Sequence, residues 1–356
     1  IKKLNKECCI IFTSGTTGPP KGVMVTQKML LASAYATGVA SNINKRDKFL
    51  LWESLYHIGG LEIIILTLLE KIQIIITKKF SATNFWGLVK KYKVTKLHYL
   101  GGILDILLKL KKKRYDKNHQ IRLGFGAGAR AEVVQEFKKR FNIKLREVYG
   151  MTEASSFTSI NFNSKKNSIG QVLPWFKVAI KKKSKLNNNG EIVIKENIHG
   201  LLTKGYFKDK NATKELLKKD GLHTGDVANI DKKGNLFYIG RLKDSVRVRG
   251  ENISAWEIET TLNNKIFISE SAILKVKADI GEFDMVALII PKNYDLDIIK
   301  IINDCKKDFS NNYIPRYWCL VDRFPRTPTL RIDKKNIMLN SYKFFDRINN
   351  NYIKFK

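Results

Sequence analysis

Apolar positions in the first 150 residues fall into short runs, separated by longer stretches where apolar residues recur at helical spacing. The short runs "CCIIFT", "KFLLW", "IQIIIT", "KLHYL" and "IRLGFG" read as strands. Between them, "TQKMLLASAYATGVA", "GLEIIILTLLEK", "SATNFWGLVKKYKV", "ILDILLKLKKK" and "RAEVVQEFKKRF" read as helices, with Thr26 and Ser81 standing where N-caps are expected. This alternation predicts an α/β fold with a largely parallel sheet covered by helices. In such sheets ligand loops lie at the carboxyl ends of strands. The loops "TSGTTGPPKG", "GAGA" and "YGMTE" all follow predicted strands.

From about Gly170 the pattern shifts to short strands with Gly and Asn turns: "GEIVI", "HTGDVANID" and "KKGNLFYIG". A break is expected near "GRLKDSVRVRGENIS". Beyond it come a helix ("AWEIETTLNN"), strands "SAILKVK" and "MVALII", a helix ("LDIIKIINDCKKDF") and a last strand "YWCLVD". These make a small α+β domain of roughly 110 residues, a common domain size.

Composition narrows the picture. Apolar residues make up 44% of the chain, and runs such as "IIILTLL" are too short to span a bilayer, so no transmembrane segment is expected. Cys8, Cys9, Cys305 and Cys319 lack metal-ligand spacing; the first two, inside an apolar run, read as small buried hydrophobes. A reduced cytoplasmic setting follows. The formal charge of +32 invites a nucleic-acid reading. The excess is mostly lysine, however, spread along the whole chain beside abundant Asn and Ile. A/T-rich codons account for all three, and no zinc-finger, RRM-type or basic-zipper pattern is present. Runs such as "KLKKKR" read as solvated faces, and no nucleic-acid partner is expected.

The chemistry starts at "FTSGTTGPPKG", residues 12–22. Glycines let backbone N–H groups approach an anion, hydroxyls add donors without bulk, and a lysine supplies full charge to a polyphosphate. It is not a Walker loop, since Lys21 is followed by Gly22. Alone, it reads equally well as a flexible turn. The complete string resembles the phosphate-loop signature of the adenylate-forming superfamily: acyl-CoA synthetases, luciferases and peptide-synthetase adenylation domains. "VYGMTEAS" (148–155) resembles that family's Tyr-Gly-x-Thr-Glu motif, "HTGD" (223–226) its ribose motif, and "GRLKDSVRVRGENISAWEIE" (240–259) its hinge and following loop.

The resemblance implies an adenylation domain over residues 1–240, lacking its N-terminal subdomain, and a mobile lid domain over 241–356. Thr13, Ser14, Gly15, Thr16, Thr17, Gly18 and Lys21 would hold the ATP phosphates. Thr152 would touch the α-phosphate, and Glu153 would hold Mg²⁺, a hard cation suited to carboxylate and phosphate oxygens. Gly126, Ala127, Tyr149 and Gly150 would receive the adenine, and Asp226 and Arg241 the ribose. His57, in "LYHIGG", would line the junction of acyl pocket and α-phosphate. Lys243 would be the hinge, and Arg247, Arg249 and Gly250 would meet coenzyme A. Taken singly, Glu153 reads as a helix-start acid, Asp226 as a turn cap and His57 as a structural histidine.

Two departures from the family pattern stand out. The segment "DSVRVRGENISAWEIE" and the tail "IPRYWCLVDRFPRTPTLRIDKKNI" are most similar to the crotonobetaine/carnitine–CoA ligase group, whose members activate small, often trimethylammonium-bearing acids. Where the family carries Gly-Lys, this tail has Leu330–Arg331, so Arg331 would bridge carboxylate and α-phosphate, with Lys334 as its substitute. An arginine fork is not equivalent to an ammonium point charge. The other departure is that the phosphate loop stands close to the first residue, which implies an incomplete chain. The expected activity is an ATP-dependent acid–thiol ligase, taking a small carboxylic acid, ATP, Mg²⁺ and coenzyme A through an acyl-adenylate. The rivals are a non-catalytic nucleotide-binding remnant and an enzyme that loads a carrier protein.

Overall fold

The computed structural model describes residues 2–13, 20–114, 116–182, 188–248, 251–278, 283–292, 297–327 and 331–355. It divides into two compact units, one of residues 1–224 and 228–238, the other of 225–227 and 239–356.

The first unit opens with an antiparallel pair, β1 (Glu7–Thr13) and β2 (Lys21–Thr26), in which Thr13 faces Lys21. The predicted alternation follows: α1 (Gln27–Ser41), β3 (Lys48–Leu51), α2 (Ile58–Glu70), β4 (Gln73–Ile76), α3 (Ala82–Tyr92), β5 (Lys96–Leu100), α4 (Gly101–Lys109), β6 (Leu123–Ala127), α5 (Ala131–Phe141) and β7 (Lys144–Tyr149). Strands β3 to β7 pair in parallel, in the spatial order β4-β3-β5-β6-β7. Beyond β7 the sheet continues antiparallel through β8 (Ser159–Ile160) and β9 (Gly170–Val172). It ends through β10 (Phe176–Lys182), β11 (Gly190–Glu196), β12 (Leu217–Lys218, after helix α6, Lys210–Leu216), β13 (Gly221–Ile230) and β14 (Asn235–Arg241).

Local signals explain these boundaries. Thr26 caps α1 by accepting the Met29 N–H at 3.2 Å. The other end of α1 stops at Asn42 in the left-handed region, φ 48°. Its last carbonyls receive cations: the Lys96 amine donates to Ser41 O at 2.7 Å, and Arg146 Nη1 to Ala40 O at 2.7 Å. Ser81 occupies the N-cap of α3, but its hydroxyl sits against Thr83 Oγ1 rather than capping a backbone N–H. Along the outer faces of α1 and α2 runs a groove of about 440 Å³, lined by Tyr35, Val39, Leu66, Leu69, Arg146 and Phe162.

The second unit carries a hairpin, β15 (Ser245–Val248) and β16 (Glu251–Ser254), then α7 (Ala255–Asn263). A five-stranded sheet follows, built from β17 (Ile268–Lys277), β18 (Phe283–Pro291), β19 (Tyr317–Leu320), β20 (Lys343–Asp346) and β21 (Asn351–Lys354), with α8 (Ile298–Cys305) packed beside it. The strand "YWCL" is therefore not the last. The final hairpin escapes the sequence pattern because its apolar pair, Phe344 and Phe345, is embedded among Lys, Asp, Arg and Asn. Cys8 and Cys9 also correct the expectation: Cys8 is exposed and Cys9 half-buried, since among the described residues β1 pairs only with β2 and turns one face outward. Among the described residues no helix is long and apolar enough to cross a membrane.

Candidate active site

Thr13 and Lys21 close the ends of the β1–β2 pair, and the Thr13 hydroxyl donates to Lys21 O at 3.3 Å. Ser14, Gly15, Thr16, Thr17 and Gly18 lie outside the described residues. The Lys21 amine stands 5.0 Å above the ring of Tyr206, a cation–π contact. The hydroxyl of that same tyrosine donates to Glu153 Oε1 at 2.7 Å. One aromatic ring thus links the phosphate-loop cation to the acid expected to hold magnesium. Tyr206 carries no motif in the sequence and was missed there. Only Gly205, with φ 131°, hints that "KGYF" forms a special turn.

Glu153 and Thr152 lie in a buried 3-10 turn after β7. This turn permits little variation. A Cβ on Gly150 would stand 1.6 Å from Ser156 O, and Ser155 and Ser156 both adopt positive φ (52° and 69°). The turn is tied to the loop around Tyr206 because Thr203 N–H donates to Glu153 O at 2.9 Å. Among the described residues no group of three His, Cys, Asp or Glu side chains could hold a metal alone. One buried carboxylate matches Mg²⁺, which usually keeps water and substrate phosphates in its remaining positions.

On the adenine side, β6 ends in Gly126 and Ala127, and β7 ends in Tyr149. A Cβ on Gly126 would meet Tyr99 O at 1.9 Å, so the loop that follows must start from a glycine. The Glu147 carboxylate gathers this loop: it accepts the N–H groups of Gly128 and of Ala129 (3.2 Å), and the Tyr99 hydroxyl at 2.9 Å. Burial pushes the Glu147 carboxyl up to about 8, against the lowering effect of those donors. Sequence reading passed over Glu147, which precedes the recognised motif by one residue.

His57 is the N-cap of α2, with Nδ1 accepting the Gly59 N–H at 3.1 Å. In the neutral ring that bond leaves the proton on Nε2. A Cβ on Gly59 would lie 3.2 Å from His57 Nδ1 and 3.4 Å from His98 Cε1, so the two imidazoles flank one glycine. Behind it sits a polar group that sequence reading also missed. His98 Nδ1 and Glu53 Oε1 form an ion pair at 2.5 Å, and Glu62 is fully buried one turn into α2. The neighbouring carboxylates hold the His98 pKa up although burial, the largest effect, pulls it down. Burial raises Glu62 to about 7. The signal available was Glu62, an acid placed before the apolar run of the helix "GLEIIILTLLEK".

In the second unit, Asp226 accepts from Arg241 Nε at 2.9 Å, so the two expected ribose residues are in direct contact. Lys243 is exposed in a 3-10 turn, Leu242–Asp244. Arg247 falls in β15, and nothing of its side chain is described; Arg249 and Gly250 lie outside the described residues. Arg331 is exposed and closes a small loop: Thr327 N–H donates to Arg331 O at 2.9 Å, and Arg331 N–H to Thr327 Oγ1 at 3.2 Å. Lys334 is committed elsewhere. Its amine lies 2.6 Å from Glu259 Oε1, which removes it as a substitute for Arg331 in this arrangement.

The AMP-binding enzyme family matches residues 2–207. The chain belongs to that family. Among curated relatives it is 27% identical to the 2-succinylbenzoate–CoA ligase of Listeria monocytogenes over 94% of this chain and 70% of that one. It is 28% identical to the human long-chain fatty acid transport protein 6 over 99% of this chain, which spans 63% of that protein's length. Its fold is that of o-succinylbenzoate CoA synthetase from Bacillus subtilis in complex with its acyl-adenylate intermediate (TM-score 0.82, 23% identity, 94% of this chain and 69% of that one). ATP-bound MatB from Rhodopseudomonas palustris is equally similar in fold (TM-score 0.85, 24% identity, 93% and 67%).

Proposed function

We propose that this AMP-binding enzyme is an acid–CoA ligase that works through an acyl-adenylate. Residues 1–240 would perform adenylation, and 241–356 would act as a lid that turns about Lys243. The observation that carries this reading is the Lys21–Tyr206–Glu153 arrangement, which sets a cation beside a buried carboxylate at the mouth of the phosphate-loop hairpin. It fits a triphosphate, whose attack by a carboxylate brings two anions together and so depends on charge neutralisation and alignment.

In this mechanism Thr13 and Lys21, with residues 14–18, bind the β- and γ-phosphates. Thr152 and the Nε2–H of His57 donate to the α-phosphate side as the acid's carboxylate attacks. Glu153 would hold Mg²⁺, which would supply positive charge to the departing pyrophosphate. Glu147 fixes the loop of Gly126 and Ala127 beneath the adenine, Tyr149 stacks on it beside Gly150, and Asp226 and Arg241 take the ribose. Arg331 supplies the cation between carboxylate and α-phosphate. Arg247, Arg249 and Gly250 then face coenzyme A for thioester formation. The sequence likeness to crotonobetaine/carnitine–CoA ligases supports a small acid rather than a long-chain one.

Acid-dependent AMP release from Mg-ATP, followed with and without coenzyme A and with the acyl-CoA identified by mass spectrometry, tests this. AMP with a matching thioester is expected. Arg331→Ala should lower that rate at least about tenfold, the loss of one charge-assisted contact, whereas Lys334→Ala should not. ATP binding without AMP from any acid would favour a nucleotide-binding remnant, the reading that the arginine in place of lysine supports.

A further inference from the structure

Strands β3 to β7 are parallel, and each of the helices α1 to α5 leads into the start of the next strand. All five helix C-termini therefore lie at one end of the sheet, opposite the nucleotide loops. Side chains tie the turns there into one layer. Asp47, before β3, accepts the Thr95 hydroxyl before β5 at 2.6 Å and pairs with Arg122 before β6. Arg140, near the end of α5, donates to Leu108 O at the end of α4 and to Asp116 in the following turn, both at 2.7 Å.

These turns, with the last residues of each helix, read "NINKRD" (42–47), "LLEKI" (68–72), "KKYKV" (90–94), "KLKKKR" (109–114) and "KKRFNIK" (138–144). Lysine is spread along the whole sequence, but the fold collects these runs at a single end. Helix dipoles favour cations at C-termini, yet the end carbonyls of α1 and α4 are already served by Lys96, Arg146 and Arg140. Asp47 and Asp116 are taken up within the layer by Arg122 and Arg140. Lys71, Lys93, Lys112, Lys138, Lys139 and Lys144 are exposed, and none of them forms an ion pair among the described residues. Apolar side chains stand exposed in the same turns: Leu68 at 76%, Leu69 at 49% and Tyr92 at 39%, the last with the Lys91 amine 5.2 Å above its ring.

We propose that this end of the first unit docks on an anionic membrane surface. The lysines meet phospholipid headgroups, and Leu68, Leu69 and Tyr92 reach the boundary with the acyl chains. A nucleic acid would use the cations and leave the leucines in water, whereas tyrosine beside lysine suits the headgroup level of a bilayer. With that end on lipid, the carboxyl ends of the strands, and the nucleotide loops on them, turn towards the water.

Flotation of the full chain with vesicles tests this, with phosphatidylcholine alone and with equimolar phosphatidylcholine and phosphatidylserine. No substrate is needed, so the outcome does not depend on the ligase reading. Binding to the charged vesicles only, weakened by salt, is expected. Lys112→Gln, Lys138→Gln, Lys139→Gln and Lys144→Gln together should lower the affinity about a hundredfold or more, since each lysine near such a surface contributes about fivefold. A control with the same loss of charge, Lys177→Gln, Lys195→Gln, Lys214→Gln and Lys218→Gln, changes exposed lysines on β10, β11, α6 and β12, beyond β7 along the sheet. It should lower the affinity by less than about threefold, because charges remote from the surface are screened. Melting temperatures equal to the parent's show that both variants fold. Leu68→Gln should weaken binding by about fivefold, the share of one leucine partly withdrawn from water. Equal losses in the two lysine variants overturn the proposal, since net charge alone would then bind. So does an affinity unmoved by Leu68→Gln, an absence of binding to the charged vesicles, or tighter binding to a mixed-sequence RNA duplex.

Discussion

Glu147, half-buried, and Glu62, fully buried, are two carboxyls in the same unit, both pushed up by burial, to about 8 and about 7. Their surroundings differ. Glu147 takes two backbone N–H groups and a phenol hydroxyl, and in doing so it shapes the turn after β6. Glu62 takes no backbone N–H; the Ser156 and Thr37 hydroxyls and the nearby His98 are what oppose its burial. A buried acid that is satisfied belongs to the scaffold. One held only by hydroxyls and charge, beside the Glu53–His98 ion pair, tunes the electrostatics of its surroundings without shaping a turn.

Removing each acid should separate the two roles. Glu147→Leu strands three donors at once, and a loss of about 3–5 kcal/mol is expected in urea unfolding, with weaker ATP binding. Glu62→Leu strands no backbone N–H and removes a buried charge, so at pH 8 it should be neutral or stabilising by about 1–2 kcal/mol. Equal destabilisation by the two variants would break the comparison.

The pH dependence sharpens it. Both carboxyls have folded pKa values above 4.5, so between pH 4.5 and 8 the folded chain binds more protons than the unfolded one. Stability therefore falls as pH rises through that window and levels off above it. The Glu62 share ends near pH 7 and is on the order of 3 kcal/mol. Urea midpoints measured from pH 4.5 to 8.5 should show the fall. In Glu62→Gln the slope below pH 7 should flatten, while the part that Glu147 contributes persists.

Glu153 offers a third case, a buried acid with the Tyr206 phenol on Oε1. Tyr206→Phe keeps the ring under Lys21 and removes only that hydroxyl. The smallest effect is expected here, about 1 kcal/mol in stability, together with a shifted Mg²⁺ dependence of AMP release. Mg²⁺ titrations of the two forms check it.

The sequence carried the α/β order, the parallel strands and the places of the nucleotide motifs, because periodicity and glycine-rich loops are local signals. It did not carry Glu147, Tyr206 or the group of Glu53, Glu62 and His98. These act through neighbours distant in the chain: Glu147 on Gly128, Tyr206 on Glu153, His98 on Glu53. Lys334 fails in the opposite sense. Its nearness to Arg331 in sequence suggested a stand-in, yet the fold brings Glu259 to its amine.

The loop around Tyr206 has one further consequence. Thr203 N–H donates to Glu153 O, Met24 N–H to Gly205 O and Phe207 N–H to Gly22 O, at 2.9, 3.1 and 2.7 Å. Three stretches far apart in the chain are thereby stitched into one patch of backbone. In hydrogen–deuterium exchange these amides should open as a single unit. Nucleotide held at the hairpin would slow the exchange of Phe207 as much as that of Met24, so the clearest reporter of an occupied phosphate site stands some 190 residues downstream of it.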